Sequence, residues 1–177
     1  MLNQIFNEDC LEGMKRIPDG SIDCIITDPP YWSTACRWDH VIPFDKMWEQ
    51  LKRIIKPNWA IVLFWSEPFS SALRMSNIKQ YKYDWVWEKN TITWVLNAKK
   101  QPVRKYENIS IFYKEQATYN PQWLVRKWTI TTQWWNSENY WKRSIEPYIQ
   151  EWTNYPRNIL EFSSEKWSLH PTQKPVA

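Results

Sequence analysis

Two short apolar runs, SIDCII at 21–26 and AIVLFW at 60–65, constrain this chain more than anything else in it. Each is nearly continuously apolar, as expected of strands covered on both faces. Between them Phe44, Met47, Trp48, Leu51, Ile54 and Ile55 recur at helical spacing and stop before Pro57. Strand, helix and strand in units of about 35 residues is the pattern of right-handed crossovers on a parallel sheet. A further helix is predicted from Pro68 to Ile78, with proline at its first position. A short one begins at the cap Asp9, with Glu12 three residues on and Leu11, Met14 and Ile17 at helical spacing, and it ends near Pro18-Asp19-Gly20. Alternating segments at 81–87 and 107–113 read as strands. The fold class is α/β, a partial sheet with helices on both faces.

From about 116 to 156 the periodicity dissolves into polar and aromatic residues, including TTQWWNSENYWKR, which reads as an insertion of loops and short strands. The length of 177 residues and an apolar share of 43% suit one globular domain, or part of one, with a real core. The N-terminus MLNQIFNEDC has no basic segment followed by an apolar one, and no apolar run approaches the roughly 20 residues of a membrane span. Three cysteines, Cys10, Cys24 and Cys36, cannot pair completely and show no metal-ligand spacing. Reduced thiols, no metal, no membrane and a cytoplasmic location are the expectation.

The first run ends in Thr27-Asp28-Pro29-Pro30-Tyr31, and the prolines forbid the strand to continue. In open α/β sheets ligands bind outside the carboxyl ends of the strands. There Asp28 offers a carboxylate, Pro29 a carbonyl with no strand partner, and Tyr31 a flat face on a stiff turn. These parts can hold a planar group that bears an amine.

The chain resembles the amino-methyltransferases of DNA, which make N6-methyladenine or N4-methylcytosine. The residues that carry the resemblance are IITDPPY at 25–31, WEK at 87–89, YENISIFYK at 106–114 and SSEKWSLHPTQKP at 163–175. It runs over nearly the whole chain, and D-P-P-Y paired with a downstream H-P-T-Q-K-P is far more specific than either alone. The order is that of the subgroup whose catalytic motif precedes its cofactor motif. The resemblance implies a Rossmann-like methyltransferase fold with catalytic residues Asp28, Pro29, Pro30 and Tyr31. Asp28 and the Pro29 carbonyl would accept hydrogen bonds from the target amine, and Tyr31 would stack on a base flipped out of duplex DNA. The cofactor is S-adenosylmethionine, with Asp9, Asp28, His170, Thr172, Gln173 and Lys174 as its candidate contacts; capping explains Asp9 equally well. Aspartate in the first motif position favours adenine N6 over cytosine N4.

The same likeness divides the chain into a catalytic half at 1–115, a target-recognition insertion at 116–156 and a return to the core at 157–177. Restriction–modification or a phage genome is the implied setting, and a cognate nuclease and a homodimer are admitted as partners. From Lys89 to Lys105 stand five basic residues, Lys89, Lys99, Lys100, Arg104 and Lys105, and no acid. Beside a base-flipping motif they read as phosphate contacts rather than a plain solvated face. Three rival readings remain: an aromatic-rich, non-catalytic protein that stacks single-stranded nucleic acid, the same chemistry on cytosine N4, and the same chemistry on RNA or a protein amide.

Two glycines beside fifteen tryptophans is the composition's anomaly, since glycine is usually about 7% of residues. Relatives usually carry glycine where this chain has Trp32, Trp59, Trp65 and Trp167, whereas Trp38, Trp48, Trp85 and Trp87 occupy aromatic core positions. Were the eleven tryptophans other than those four glycine, both anomalies would vanish. A gene that uses UGA for glycine, rendered in the printed sequence as tryptophan, would produce this pattern, with indoles strained wherever the fold needs φ > 0. A glycine-rich strand-to-helix turn able to cradle a cofactor is also missing, which implies a reading frame that continues beyond Ala177.

Overall fold

A computed structural model describes residues 3–32, 36–37, 39–93, 95–131 and 148–162. Contacts divide the chain into one unit of Met1–Thr118 with Asn158–Ala177, and a second of Tyr119–Arg157.

The first unit opens with α1 (Cys10–Met14), where Asp9 Oδ1 accepts from the backbone N–H of Leu11 at 2.8 Å and of Glu12 at 3.3 Å. That satisfies two of the donors a helix start leaves unpaired. Glu12 does not complete a reciprocal box but bonds Lys15 at 2.6 Å. Gly20, at φ +56°, supplies the left-handed residue that turns the chain into the first strand.

Strand β1 (Ile25–Thr27) pairs in parallel with β2 (Ile61–Trp65) across α2 (Phe44–Ile54), as the apolar pattern requires. After α3 (Phe69–Ser76) come β3 (Tyr81–Thr93) and β4 (Arg104–Phe112), joined through a short 3₁₀ turn at Val95–Asn97, and later β7 (Ile159–Glu161). The sheet order is β1-β2-β4-β3-β7. The sheet is mixed rather than purely parallel: β4 is antiparallel to both β2 and β3. The cause is the short link between β3 and β4, which allows a hairpin but not a crossover. β3 still runs in the direction of β2 and pairs in parallel with β7.

On one face Met47, Trp48 and Leu51 of α2 and Leu73 of α3 pack on Ile61, Leu63 and Trp65 of β2 and Phe112 of β4. On the other, Trp87, Ile109 and Ile111 form a smaller cluster with Val62, Phe64, Trp85 and Leu160 half-covered around it. Two expectations are corrected here. β2 is buried fully on one face and only partly on the other. The run at 21–26 yields a strand only from Ile25, preceded by an isolated bridge of Ile22 to Ile55, and Ile26 is 67% exposed. Among the described residues no element covers that outer face.

The second unit holds β5 (Val125–Thr131) antiparallel to β6 (Tyr148–Thr153), with Trp128, Ile130 and Ile149 exposed. Among the tryptophans, Trp32 and Trp123 adopt left-handed φ values of +54° and +58°. Trp59 does not, and Trp65 lies inside β2. Trp38, Trp94 and Trp167 fall outside the described residues.

Candidate active site

Because β1, β2, β3 and β7 share one direction and β4 opposes them, the ends of four strands and the start of β4 lie along one edge of the sheet. Asp28, Pro29, Pro30 and Tyr31 leave β1 at that edge. Asp28 is exposed, Pro29 is buried, and Pro30 and Tyr31 are half-buried. The Tyr31 ring lies 5.7 Å from that of Trp65 at the end of β2, and 6.5 Å from that of Phe69 at the start of α3.

Burial pushes the Tyr31 phenol well above its ordinary value; the carboxylates of Asp28, Glu107 and Asp39 push it further, and Arg104 only partly opposes them. Tyr31 is therefore a neutral ring at physiological pH, suited to stacking and not to proton abstraction.

Asp39, only 3% exposed, accepts hydrogen bonds from the backbone N–H of Tyr31 at 3.0 Å and of Trp32 at 2.8 Å. Sequence reasoning missed this residue, because it lies eight positions from Tyr31 with no periodic signal. The available clue was chemical: a turn with two prolines has few N–H groups, and an acid shortly after it is a ready acceptor.

The five basic residues stand in different settings. Lys89 is nearly buried in β3, bonds Glu107 at 3.0 Å and lies over the Trp87 ring. Lys105 pairs with Glu88 at 2.6 Å. Arg104 donates from Nη1 to Ser66 Oγ and to the Glu67 carbonyl at 3.1 Å, clipping the start of β4 to the turn after β2. The acids that neutralise the stretch lie just outside it, at 88 and 107, and the hairpin folds them back across it. Lys99 and Lys100 are exposed in the connection between β3 and β4, at the same edge as Asp28.

Asp9 serves as the cap of α1. His170, Thr172, Gln173 and Lys174 lie outside the described residues. Among the described residues no group of three or more His, Cys, Asp or Glu side chains could hold a metal ion, and no helix is long and apolar enough to cross a membrane.

No family model matches the chain. The type II methyltransferase M.HpaI of Haemophilus parainfluenzae is 24% identical to it, over all of this chain and 57% of that protein. The crystal structure of the M1.HpyAVI–SAM complex superposes with a TM-score of 0.52 at 22% identity, over 97% of this chain and 71% of that one. The PvuII DNA methyltransferase, cytosine-N4-specific, superposes with a TM-score of 0.55 at 16% identity, over 91% and 57%. The chain thus spans little more than half the length of that curated relative. Its relatives and structural neighbours are DNA methyltransferases, and its fold is the Rossmann-like methyltransferase fold.

Proposed function

We propose that this chain carries the base-binding and amine-activating part of a DNA amino-methyltransferase that uses S-adenosylmethionine, with adenine N6 as its target. The observation that carries the reading is the turn at 28–31. An exposed carboxylate, a proline carbonyl just past the strand and a neutral aromatic ring follow one another at the carboxyl end of β1.

Asp28 and the Pro29 carbonyl would each accept one N–H of the exocyclic amine. Two acceptors placed in this way turn the nitrogen lone pair out of conjugation with the ring and toward the methyl donor. The residues then act by alignment and electrostatics, without a covalent intermediate. Tyr31 would stack on the flipped base, and Lys99 and Lys100 would meet phosphates beside it. A cytosine-N4-specific neighbour shares the fold, so the choice of adenine rests on the aspartate at position 28.

The cofactor fits these residues only in part. S-adenosylmethionine supplies an electrophilic methyl group, and the turn at 28–31 has the acceptors to aim an amine at it. The cradle for its methionine and ribose is not among the described residues: Gly13 lies in α1 and Gly20 precedes Ile22, so neither follows a strand. The roles of 116–156 in target recognition and of 157–177 in cofactor contact belong to the same proposal.

The test is methyl transfer from labelled S-adenosylmethionine to duplex DNA, with digestion to nucleosides. N6-methyladenine is the expected product, and N4-methylcytosine would overturn the choice of base. Asp28→Ala should abolish transfer while duplex binding stays within about threefold, since the carboxylate acts on the amine and not on phosphates. Turnover near wild type in that variant would remove Asp28 from the mechanism.

A further inference from the structure

We propose that Asp39 is a positioning residue: by holding the backbone N–H groups of Tyr31 and Trp32 it fixes where Asp28, the Pro29 carbonyl and the Tyr31 ring point. The inference rests on the methyl-transfer reading and deepens it. Pro29 and Pro30 have no N–H, so the first backbone donors after Asp28 are those of Tyr31 and Trp32. Both go to the same Oδ1 of Asp39, at 3.0 and 2.8 Å. The prolines fix φ within the turn but donate nothing, so these two N–H groups are what is left to anchor it.

Consecutive N–H groups that converge on one anion beside a left-handed residue form an anion-binding nest, and Trp32 supplies that residue at φ +54°. Asp39 is only 3% exposed. A carboxylate is almost never buried to that degree unless its oxygens are bonded. The chain gives up the hydration of a charge to hold this turn, and bonds to a charged acceptor are roughly twice as strong as neutral ones.

The experiment compares Asp39→Ala and Asp39→Asn in the full-length protein, with thermal melts to confirm folding at the assay temperature. Asp39→Ala should lower kcat about 100-fold, the size expected for a displacement of about 1 Å at the reacting groups, with KM for DNA within threefold. Asp39→Asn keeps an acceptor oxygen and should recover most of that loss. A kcat in Asp39→Ala within threefold of wild type overturns the proposal, as does equal loss in both folded variants. Should Asp39→Ala be unfolded, Asp39→Glu decides: it keeps the charge but moves the acceptor by one methylene, so a fall of about tenfold or more in kcat at constant KM supports the proposal, and wild-type kcat overturns it. A wild-type protein that transfers no methyl group takes down the functional reading and this inference together. If Asp28→Ala abolishes transfer and Asp39→Ala does not, this inference falls alone.

A different set of observations carries a second inference, that Trp32, Trp65 and Trp123 stand where the native protein has glycine. Trp32 and Trp123 hold left-handed backbone with their indoles 72% and 76% exposed, so little packing offsets the strain. Trp65 is buried with its Nε1 lacking any acceptor, and its ring fills the space beside Tyr31. The tryptophans in core stripes behave differently: Trp48 Nε1 donates to Ser76 Oγ at 2.7 Å and Trp87 Nε1 to the Phe162 carbonyl at 3.1 Å. One codon read as glycine in the native cell accounts for all three misfits and for a chain with two glycines. Peptide mass spectrometry of the protein from that cell should find glycine at 32, 65 and 123. Tryptophan at those positions, or UGG codons there, overturns the inference.

Discussion

At position 32 an indole sits on a backbone that L-residues enter at a cost of roughly 1–2 kcal/mol. Trp32→Gly relieves that strain and gives back part of the gain as unfolded-chain entropy. The variant should gain about 1 kcal/mol of stability, visible as a higher urea midpoint at unchanged slope. Trp48→Gly is the contrast: Trp48 is buried against Phe112 and bonded to Ser76, and truncation should cost at least about 3 kcal/mol. Equal effects at the two positions would refute the distinction between them. Tyr31 makes a second prediction at this scale. Its pKa is raised on folding, chiefly by burial, so the phenol stays protonated in the native state at a pH where the unfolded chain ionises. Its stabilising contribution is therefore fully present below pH of about 10 and is lost as pH rises beyond that, through the higher native value. Tyr31→Phe should flatten the alkaline fall in stability, and an unaltered curve would show that Tyr31 does not cause it.

Among elements, the β3–β4 hairpin decides which basic residues stay exposed for the phosphate contacts of the proposed function. β4 pairs Asn108 with Trp65, the last residue of β2, yet runs back to Arg104, so the hairpin extends about 14 Å past the end of β2 at about 3.4 Å per residue. Lys89 and Lys105 are engaged with Glu107 and Glu88, and Arg104 is tied to the turn after β2. That leaves Lys99 and Lys100 in the exposed connection. Replacing both with alanine should weaken binding to all duplex sequences alike and lower the salt slope by roughly two, at about −0.9 per phosphate contact. Replacing Lys89 should instead destabilise the fold and leave the slope unchanged. A double variant with the wild-type slope would mean that the hairpin does not reach DNA.

For the molecule as a whole, the sheet order sets the gradient of stability. β4 lies between β2 and β3, and Asn108 to Phe112 are buried on both faces. β1 has one described neighbour and an open outer face at Ile26. Native-state hydrogen exchange should find the slowest amides in β4 and much faster ones in β1. Comparable protection in the two strands would show that β1 is covered by something outside the described residues.

The apolar runs and the helical stripe between them determined β1, α2, β2 and their parallel pairing, because periodicity and chain breaks are local properties that a linear string records. The Asp28–Tyr31 turn was legible for the same reason, since prolines end a strand wherever it lies. The place of β4 between β2 and β3 was decided only in the folded sheet, where a short hairpin link outweighed the crossover pattern. Tertiary structure alone also showed that acids at 88 and 107 neutralise part of the basic stretch, and that Asp39 returns to hold the turn. Both are pairings between residues distant or out of phase along the chain, and their energy exists only once folding excludes water around them.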